Sequence, residues 1–404
     1  MKKKSANSVQ FGDRSAALNA ARNLKMAKST RAYVRGSTVK FYEWLDSSGT
    51  SRLPEGPPIW ICGDCHVGNI GPVADVEGNV ALEIRDFDQT VIGNPAHDLI
   101  RLGLSLAMSA RDFDLPGVAT ANMLEHLILG YEYGFTKGGK KTTTTEQPPA
   151  VEIVMKEALS RSWKQLANER IGGANPTIPL GRRFWPLTKG ENAAIWGIFA
   201  GDDVQELTAS LRPHGEGAPI RVLDAAYWRK GCSSLGLLRY AVLIEFEETA
   251  AAGKALYLLD IKEAVKTAAP RQAGAKMPRD NAMRVVHGAR QLAPALGNRM
   301  AATRMLDRPV FVRELLPQDL KLELNQLTCE DAMATSKFLG MVVGKAHANQ
   351  MDEFERKNWR GELRRNRTKT LDAPSWLWSS IVDLVVSHER AYLEHCRRFV
   401  GGKR

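Results

Sequence analysis

The sequence predicts an α+β fold with two lobes, one rich in β-strands and one mainly helical. The chain has 404 residues, which is too long for one small core, and its 44% hydrophobic and 25% charged content is ordinary for a globular protein. Strand-like segments concentrate in the middle of the chain, whereas both ends show helical periodicity. We therefore expect the two helical ends to combine into one lobe around an inserted β lobe.

Most predicted elements in the first half of the chain are helices. Apolar residues at helical spacing predict helices over residues 15–44, 97–111, 119–135 and 152–169. Short strands are predicted over residues 59–62 and 80–87. Residues 136–149 are rich in Gly, Thr and Pro and predict a mobile loop, and residues 172–190 predict irregular structure.

The second half begins with strands and ends with helices. Strands are predicted over residues 235–246, 255–261, 309–315 and 320–324, and helices over residues 330–350 and 375–400. This pattern divides the chain into a first part of the helical lobe (1–135), a loop and helical insertion (136–215), a β-rich lobe (216–325) and C-terminal helices that complete the helical lobe (326–404).

Charge and cysteine content limit the class of protein. A net charge of +11 favours anionic ligands. The densest basic stretch, Arg356 to Lys369, is interpreted as a solvated helical face in preference to a nucleic-acid site. No apolar run is long enough to predict a membrane span. Without a secretory signal, the five cysteines indicate reduced thiols in the cytoplasm, and the oligomeric state is not indicated.

Three short motifs within residues 63–98 carry the chemistry. The first, Gly63–Asn69, reads G-D-C-H-V-G-N after a predicted strand. The second, Arg85–Asp88, reads R-D-F-D at the end of the next strand. The third, Gly93–Leu99, reads G-N-P-A-H-D-L and opens a predicted helix. All three contain side chains with carboxylate or amide oxygens.

These oxygens are suited to phosphoryl transfer. The reaction needs a carboxylate that orients the attacking hydroxyl, and hard oxygen ligands that hold Mg²⁺ on the phosphates. We expect Asp64 to orient the nucleophile and Asn69 and Asp86 to bind the metal ion, with Asp88 as a further carboxylate ligand. Taken alone, Asp86 and Asp88 would be interpreted as residues of a solvated turn. Their occurrence together with Asp64 and Asn69 favours metal binding.

Together the motifs resemble the catalytic region of the aminoglycoside and choline phosphotransferases. In that family a loop with the sequence H-G-D-x-H-x-x-N comes first. It is followed by a strand that ends in an aspartate, an aromatic residue and an acidic residue, and then by a helix that begins with G-x-P-x-x-D-L. Cys62 stands where the family usually has His. The matching residues are Asp64, His66, Asn69, Asp86, Asp88 and Asp98. The resemblance implies that Asp98 braces the catalytic loop, and we interpret His66 as a loop-bracing side chain and not as a base.

A later segment resembles the Gly-rich loop of kinases, whose backbone approaches nucleotide phosphates. It reads G-C-S-S-L-G and has a serine in place of the middle glycine. The residues predicted to bind phosphate in it are Gly231, Ser233, Ser234 and Gly236. For this segment a plain hairpin remains an equal interpretation.

Lys262 ends the third strand of the same unit, where a kinase-like fold has the lysine that pairs with nucleotide phosphates. A strand-end lysine in water is an equal interpretation. The predicted helix over residues 281–292 has no glutamate to pair with this lysine, and His287 or Gln291 is a candidate substitute. The segment from Arg313 to Pro317 is a candidate hinge between the lobes.

The order of these parts differs from that of ordinary kinases, in which the Gly-rich loop precedes the catalytic loop. The helix ending at residues 344–348 resembles the helix that normally leads into the catalytic loop, yet it lies near the C-terminus. The resemblance therefore implies a circularly permuted, protein-kinase-like fold. The whole arrangement resembles a bacterial family of unknown function. The resemblance to the phosphotransferases implies ATP or another nucleoside triphosphate and Mg²⁺ as cofactors, and a small-molecule acceptor as the partner.

Other functions were weighed against this one. A catalytically weak or inactive nucleotide-binding regulatory module is the main alternative, because the paired glutamate is missing, and a metal-dependent phosphoester hydrolase is a third. The run C-G-D-C-H over Cys62–His66 also spells the attachment motif of c-type haem, which requires an exported protein. Zinc binding there would need a fourth ligand. Small buried residues that bracket a tight turn are the simplest interpretation of Cys62 and Cys65.

Overall fold

The computed structural model of the chain is a mixed α and β molecule in which an antiparallel sheet packs beside a helical body. The residues that the structure describes are 13–49, 53–75, 77–136, 147–160, 176–210, 220–232, 234–246, 255–316, 318, 320, 322, 328–364 and 373–400. In that part of the chain no helix combines the length and the apolar character needed to cross a membrane.

Helices occur at both ends of the chain and between the strands. Those before residue 161 are α1 (Arg14–Met26), α2 (Thr30–Gly36), α3 (Thr38–Trp44), α4 (Ala96–Asp112), α5 (Gly117–Tyr133) and α6 (Pro149–Ser160). Those after it are α7 (Lys189–Phe199), α8 (Asp202–Ser210), α9 (Asn281–Leu292), α10 (Pro294–Gly297), α11 (Cys329–Ala348), α12 (Glu353–Arg364) and α13 (Ser375–Phe399).

The strands form one large sheet and two short ribbons. The ribbons pair β1 (Ile59–Ile61) with β4 (Val91–Gly93), and β2 (Ile70–Ala74) with β3 (Val80–Ile84). The large sheet consists of β5 (Phe184–Trp185), β6 (Ile220–Trp228), β7 (Arg239–Phe246), β8 (Ala255–Glu263), β9 (Met300–Met305) and β10 (Arg308–Leu315). Its spatial order is β5-β6-β7-β8-β10-β9, and every neighbouring pair is antiparallel.

The two faces of the large sheet bury different cores, as the period of two along a strand requires. Val242 and Ile244 on β7 pack with residues of α1, α7 and α8, whereas Ala241 and Leu243 pack with Phe184 and Leu258. Polar residues of the central strands occupy the same alternate strand positions as the residues of the second face. That face therefore carries charged side chains towards the helical body.

The helical body forms the largest core. Residues of α4, α5, α11 and α13 pack there with the two ribbons and with α9. Segments from both ends of the chain therefore share one core. The fold is mixed α and β, with the six-stranded antiparallel sheet formed by residues 184–315.

Several boundaries differ from the predicted ones. The helix predicted over residues 15–44 is divided into α1, α2 and α3, because Ser29 caps α2 by accepting a hydrogen bond from Ala32 N at 3.1 Å. The strand predicted from residue 235 begins at Arg239, since Gly236 adopts a φ of +107° in the preceding loop. Leu320 and Leu322 are not in a strand, and the other residues of the strand predicted over 320–324 lie outside the described residues.

Other elements were not predicted or cannot be compared. The helices α7 and α8 and the strand β9 have no counterpart in the predicted elements. Most of the predicted loop over residues 136–149, and the end of the helix predicted over 152–169, lie outside the described residues.

Candidate active site

The loop that carries Asp64 is held against the start of α4. Asp98, in the first turn of that helix, is fully buried and accepts hydrogen bonds from two backbone amides of the loop. Its Oδ2 lies 2.7 Å from Cys62 N, and its Oδ1 lies 2.9 Å from Gly63 N. A charged acceptor for two buried amides is a strong restraint on the backbone, so Asp98 fixes the turn that precedes Asp64.

Asp64 is itself oriented by a buried arginine. Arg101 Nε donates to Asp64 Oδ1 at 2.9 Å, and the Arg101 side chain is fully buried. Arg101 lies three residues after Asp98, so one face of α4 holds both the loop backbone and the loop carboxylate. Arg101 is not among the residues that the sequence motifs predict for the site. The i, i+3 spacing from Asp98 is the signal that could have indicated it.

Asn69 joins the first motif to the second. Its side-chain Nδ2 donates to the backbone oxygen of Asp64 at 3.1 Å and to that of Asp86 at 3.2 Å. With the amide nitrogen committed to these carbonyls, Asn69 Oδ1 is left as the ligand atom of the side chain. Asp64, Asn69 and Asp86 all line one cavity.

Asp86 and Asp88 lie beside Lys262. Lys262 Nζ is 3.4 Å from Asp86 Oδ1 and also forms an ion pair with Asp88. Burial opposes ionisation of Asp86, but the positive charges of Lys262, Arg313 and Arg239 outweigh it and hold the pKa of Asp86 well below its usual range. Burial and the neighbouring Asp86 charge raise the pKa of Asp88. Asp86 is therefore the carboxylate that stays ionised and can bind a cation.

The partner of Lys262 is thus supplied by the second motif and not by α9. Within the described residues neither His287 nor Gln291 forms a hydrogen bond or an ion pair with Lys262. The helix α9 contributes Arg284, which donates to the backbone oxygens of Thr90, Asp88 and Val265 at 2.6, 3.1 and 3.0 Å. The helix therefore supports the backbone that follows Asp86.

Two further arginines of the sheet face the cavity. Arg239 on β7 and Arg313 on β10 both pair with Asp260 on β8, which is fully buried between them. The two arginines hold the pKa of Asp260 well below its usual range against the effect of burial. Arg313 lies within β10, so the sequence prediction of a hinge from Arg313 to Pro317 is wrong at Arg313, and Pro317 lies outside the described residues.

The loop between β6 and β7 also lines the cavity. Lys25 Nζ on α1 donates to Gly231 O at 2.7 Å, and Cys232 packs with Met26 and Tyr33. Gly231 adopts a φ of +99°, and a Cβ there would lie 2.2 Å from Ser234 Oγ. The loop is therefore folded tightly and tethered to the first two helices.

The residues predicted to bind phosphate in this loop have different positions. Gly231 and Ser234 line the cavity. Gly236 does not line it; a Cβ at Gly236 would lie 3.5 Å from Asn19 Oδ1 of α1. Ser233 lies outside the described residues.

The cavity has a volume of about 80 Å³ and a strongly cationic wall. Five basic side chains face two carboxylates, those of Asp64 and Asp86. The basic side chains are Arg35, Arg85, Lys230, Arg239 and Arg313. A wall of this charge attracts anionic oxygen groups such as phosphates.

His66 and the two cysteines of the first motif are buried. Burial lowers the pKa of His66 to about 4, so its ring is neutral at pH 7, and its Nε2 lies 4.0 Å from Asp64 Oδ2. Cys62 and Cys65 are fully buried free thiols. Among the residues that the structure describes, no group of three or more His, Cys, Asp and Glu side chains is arranged to hold a metal ion.

The fold and the site define a mixed α and β protein with a cationic cavity between an antiparallel sheet and a helical body. Its walls come from segments more than 200 residues apart in the chain. The chain belongs to the family described as "Uncharacterized protein conserved in bacteria (DUF2252)", which matches residues 14–398. No curated protein and no solved structure matches the chain.

Proposed function

We propose that the chain is an ATP- and Mg²⁺-dependent phosphotransferase that acts on a small-molecule hydroxyl or amine, with a protein-kinase-like fold in permuted order. The observation that carries this proposal is the position of Asn69. Its Nδ2 binds the backbone oxygens of Asp64 and Asp86, so the side chains of all three residues converge on one cavity. Phosphoryl transfer needs this combination of an orienting carboxylate and two oxygen ligands for Mg²⁺.

The residues present fit a nucleotide with Mg²⁺. Asn69 Oδ1 and the Asp86 carboxylate are hard oxygen donors, and Asp86 is ionised at neutral pH. Lys262 would pair with phosphate oxygens, and the backbone of Gly231 would approach them. When bound, the metal ion would neutralise charge on the transferred phosphoryl group.

Asp64 would orient the acceptor and receive its proton. Arg101 occupies Asp64 Oδ1, which leaves Oδ2 for an acceptor hydroxyl or amine. The neutral ring of His66 beside Oδ2 adds no competing positive charge. Asp98 keeps the loop in place through its two backbone contacts.

The permuted order is supported by where the parts of the site come from in the sequence. Asp64 and Asp86 precede Lys262 by about two hundred residues, and Lys262 nevertheless contacts Asp86. His347, near the end of α11, contacts Asp98 at 3.2 Å. The C-terminal helices therefore support the catalytic loop, as expected if they would precede it in an unpermuted chain.

Turnover measurements test the proposal. ATP consumption should be measured with Mg²⁺ and a panel of hydroxyl and amine acceptors for the wild type, Asp64→Asn and Asp86→Asn. We expect each variant to lose a factor of about 100 or more in kcat, because each loses a group that acts in the transition state. Asp203→Asn removes an exposed carboxylate on α8 and serves as the control. Nucleotide consumption that is unchanged in both site variants would refute the proposal.

A nucleotide-binding regulatory module is the second candidate. The buried ion pair of Arg101 with Asp64 and the tethered loop at Gly231 favour it, because both make the cavity less open to an acceptor. Calorimetric titration with ATP and Mg²⁺ separates the two functions. Binding that depends on Asp86, without transfer to any acceptor of the panel, would favour the module.

A further inference from the structure

Arg35 differs from the two sheet arginines that line the cavity, Arg239 and Arg313, and from Lys262 and Arg101 beside it. Arg239 and Arg313 pair with Asp260, Lys262 pairs with Asp86 and Asp88, and Arg101 pairs with Asp64. The Arg35 guanidinium lines the cavity, is partly buried, and has no hydrogen bond or ion pair with any residue that the structure describes. A guanidinium with no acceptor among the described residues presents N–H donors that the oxygens of an anionic ligand can accept.

The position of Arg35 associates it with the catalytic loop. A Cβ at Gly68 would lie 3.2 Å from Arg35 Cζ and Nε, and 3.4 Å from His66 Cε1. The guanidinium therefore lies over the loop segment between Asp64 and Asn69, beside His66. Glycine at position 68 makes this close approach possible, because any larger residue would have to displace the Arg35 side chain.

Arg35 reaches the cavity from a different element than the basic groups of the sheet. The groups suited to the nucleotide phosphates are Lys262, Arg239 and Arg313, which project from the sheet towards Asp86. Arg35 comes from α2 and lies on the Asp64 side, where the attacking group of an acceptor would be. The cavity thus has a cationic group from α2 over the loop that carries Asp64, in addition to those from the sheet.

We infer that the acceptor carries an oxyanion group, a phosphate or a carboxylate, which Arg35 binds while Asp64 orients the reacting hydroxyl. The inference rests on the proposed phosphotransferase function and names the chemical class of its substrate. A guanidinium presents paired N–H donors that match two oxygens of such a group. Arg35 is then a specificity-determining residue that selects anionic acceptors over neutral ones.

Binding of simple anions to the nucleotide-loaded protein tests the inference. The full chain is saturated with Mg²⁺ and a non-hydrolysable ATP analogue, so that the groups facing Asp86 are occupied. Inorganic phosphate is then titrated by calorimetry, followed in separate runs by acetate, which distinguishes a phosphate group from a carboxylate. The variants are Arg35→Gln and the control Arg31→Gln, which removes the same charge from the same helix, where Arg31 faces Asp112.

We expect at least one of the two anions to bind the wild type and Arg31→Gln equally, and to bind Arg35→Gln at least about tenfold more weakly, as loss of a charge-assisted hydrogen bond requires. The ATP analogue should bind all three proteins alike. Anion binding that is unchanged in Arg35→Gln, absence of anion binding in the wild type, or loss of analogue binding in Arg35→Gln would each overturn the inference. Failure of the analogue to bind the wild type would instead overturn the proposed function, and the acceptor class with it.

Discussion

Gly63 is the single residue on which the turn before Asp64 most depends. It adopts a φ of +72°, a region that side chains rarely enter, and a Cβ there would lie 2.1 Å from the backbone oxygen of Gln89. That oxygen belongs to the segment after Asp88, so the contact also determines how closely the first and second motifs approach. Any side chain at position 63 would push the two motifs apart.

Gly63→Ala should therefore destabilise the fold by about 2–4 kcal/mol, because it adds a backbone clash to the cost of a positive φ. Gly78→Ala is the matched control. Gly78 has a φ of +82° but no atom within 4 Å of its Cβ position, so its replacement should cost only about 1 kcal/mol. Urea unfolding of both variants measures the two costs. Equal destabilisation would show that the contact with Gln89 has no effect.

Among single residues, sequence spacing indicated the acidic and amide residues of the site but not Arg101 or Arg239. Asp64, Asn69 and Asp86 lie in motifs whose glycines and strand ends can be read from the local sequence, and the structure brings their side chains to one cavity. Arg101 and Arg239 lie inside a helix and a strand, where an arginine is ordinary. Their role depends on which face of the element is buried, and that is decided by contacts distant in sequence.

Among the elements, four helices are joined by one buried chain of hydrogen bonds. Trp359 Nε1 donates to Tyr131 Oη at 3.0 Å, Tyr131 Oη contacts His347 Nδ1 at 2.8 Å, and His347 Nε2 contacts Asp98 Oδ2 at 3.2 Å. These residues belong to α12, α5, α11 and α4. Since Asp98 holds the loop that carries Asp64, the chain connects the C-terminal helices to the site.

Tyr131→Phe interrupts this chain and should lower the free energy of unfolding by about 1–3 kcal/mol, because it leaves the buried Trp359 N–H and His347 Nδ1 without a partner. Tyr133→Phe removes a hydroxyl from an exposed position two residues later in α5 and should have almost no effect. Thermal or urea unfolding distinguishes the two variants. Equal stability of Tyr131→Phe and the wild type would mean that the hydroxyl is not needed to satisfy its neighbours.

Elements were predicted correctly where one face of a helix is buried, because its apolar residues then recur at helical spacing. Elements that depend on a capping residue or on strand pairing were missed. The helices α4, α5, α11 and α13 have the predicted positions within a few residues. The helix α7 was not predicted, although Thr188 and Glu191 form a capping box at its start, which is a readable signal. The edge strand β9 is stabilised by its pairing with β10, and its sequence, M-A-A-T-R-M, shows little alternation of its own.

For the molecule as a whole, residues from both ends of the chain lie in the largest hydrophobic core. The division into a helical lobe assembled from both ends and an inserted β-rich lobe stays a prediction of the sequence. What the sequence could not supply is the set of contacts between distant segments. Lys262 and Asp86 are 176 residues apart, and Arg313 and Arg85 are 228 apart. No periodicity or local motif specifies such pairs. The sequence therefore indicated candidate partners for Lys262 on α9, whereas the structure pairs it with Asp86 and Asp88 of the second motif.

Buried histidines determine how the stability of the whole molecule depends on pH. Burial lowers the pKa of His97 to about 4 and that of His388 to about 3 in the folded chain, whereas both residues titrate near 6.5 when unfolded. At each of these histidines the unfolded chain binds more protons than the folded one between these values, so the contribution of each to the free energy of unfolding falls as pH decreases. The raised pKa values of Glu83 and Asp88 act in the opposite direction. From pH 7 to pH 5 each histidine should contribute a loss of about 2 kcal/mol.

Comparison of His388→Leu with the wild type isolates one of these contributions. The raised pKa of Asp88 makes the free energy of unfolding rise as pH decreases, but it does so equally in both proteins. The difference in pH dependence between the two proteins therefore reports His388 alone. Urea unfolding at pH 7, 6 and 5 should show that the variant loses about 2 kcal/mol less than the wild type over this range. His287→Gln, which replaces an exposed histidine on α9, should lose as much as the wild type. The same pH dependence in His388→Leu as in the wild type would mean that His388 takes up its proton in the folded chain as readily as in the unfolded one.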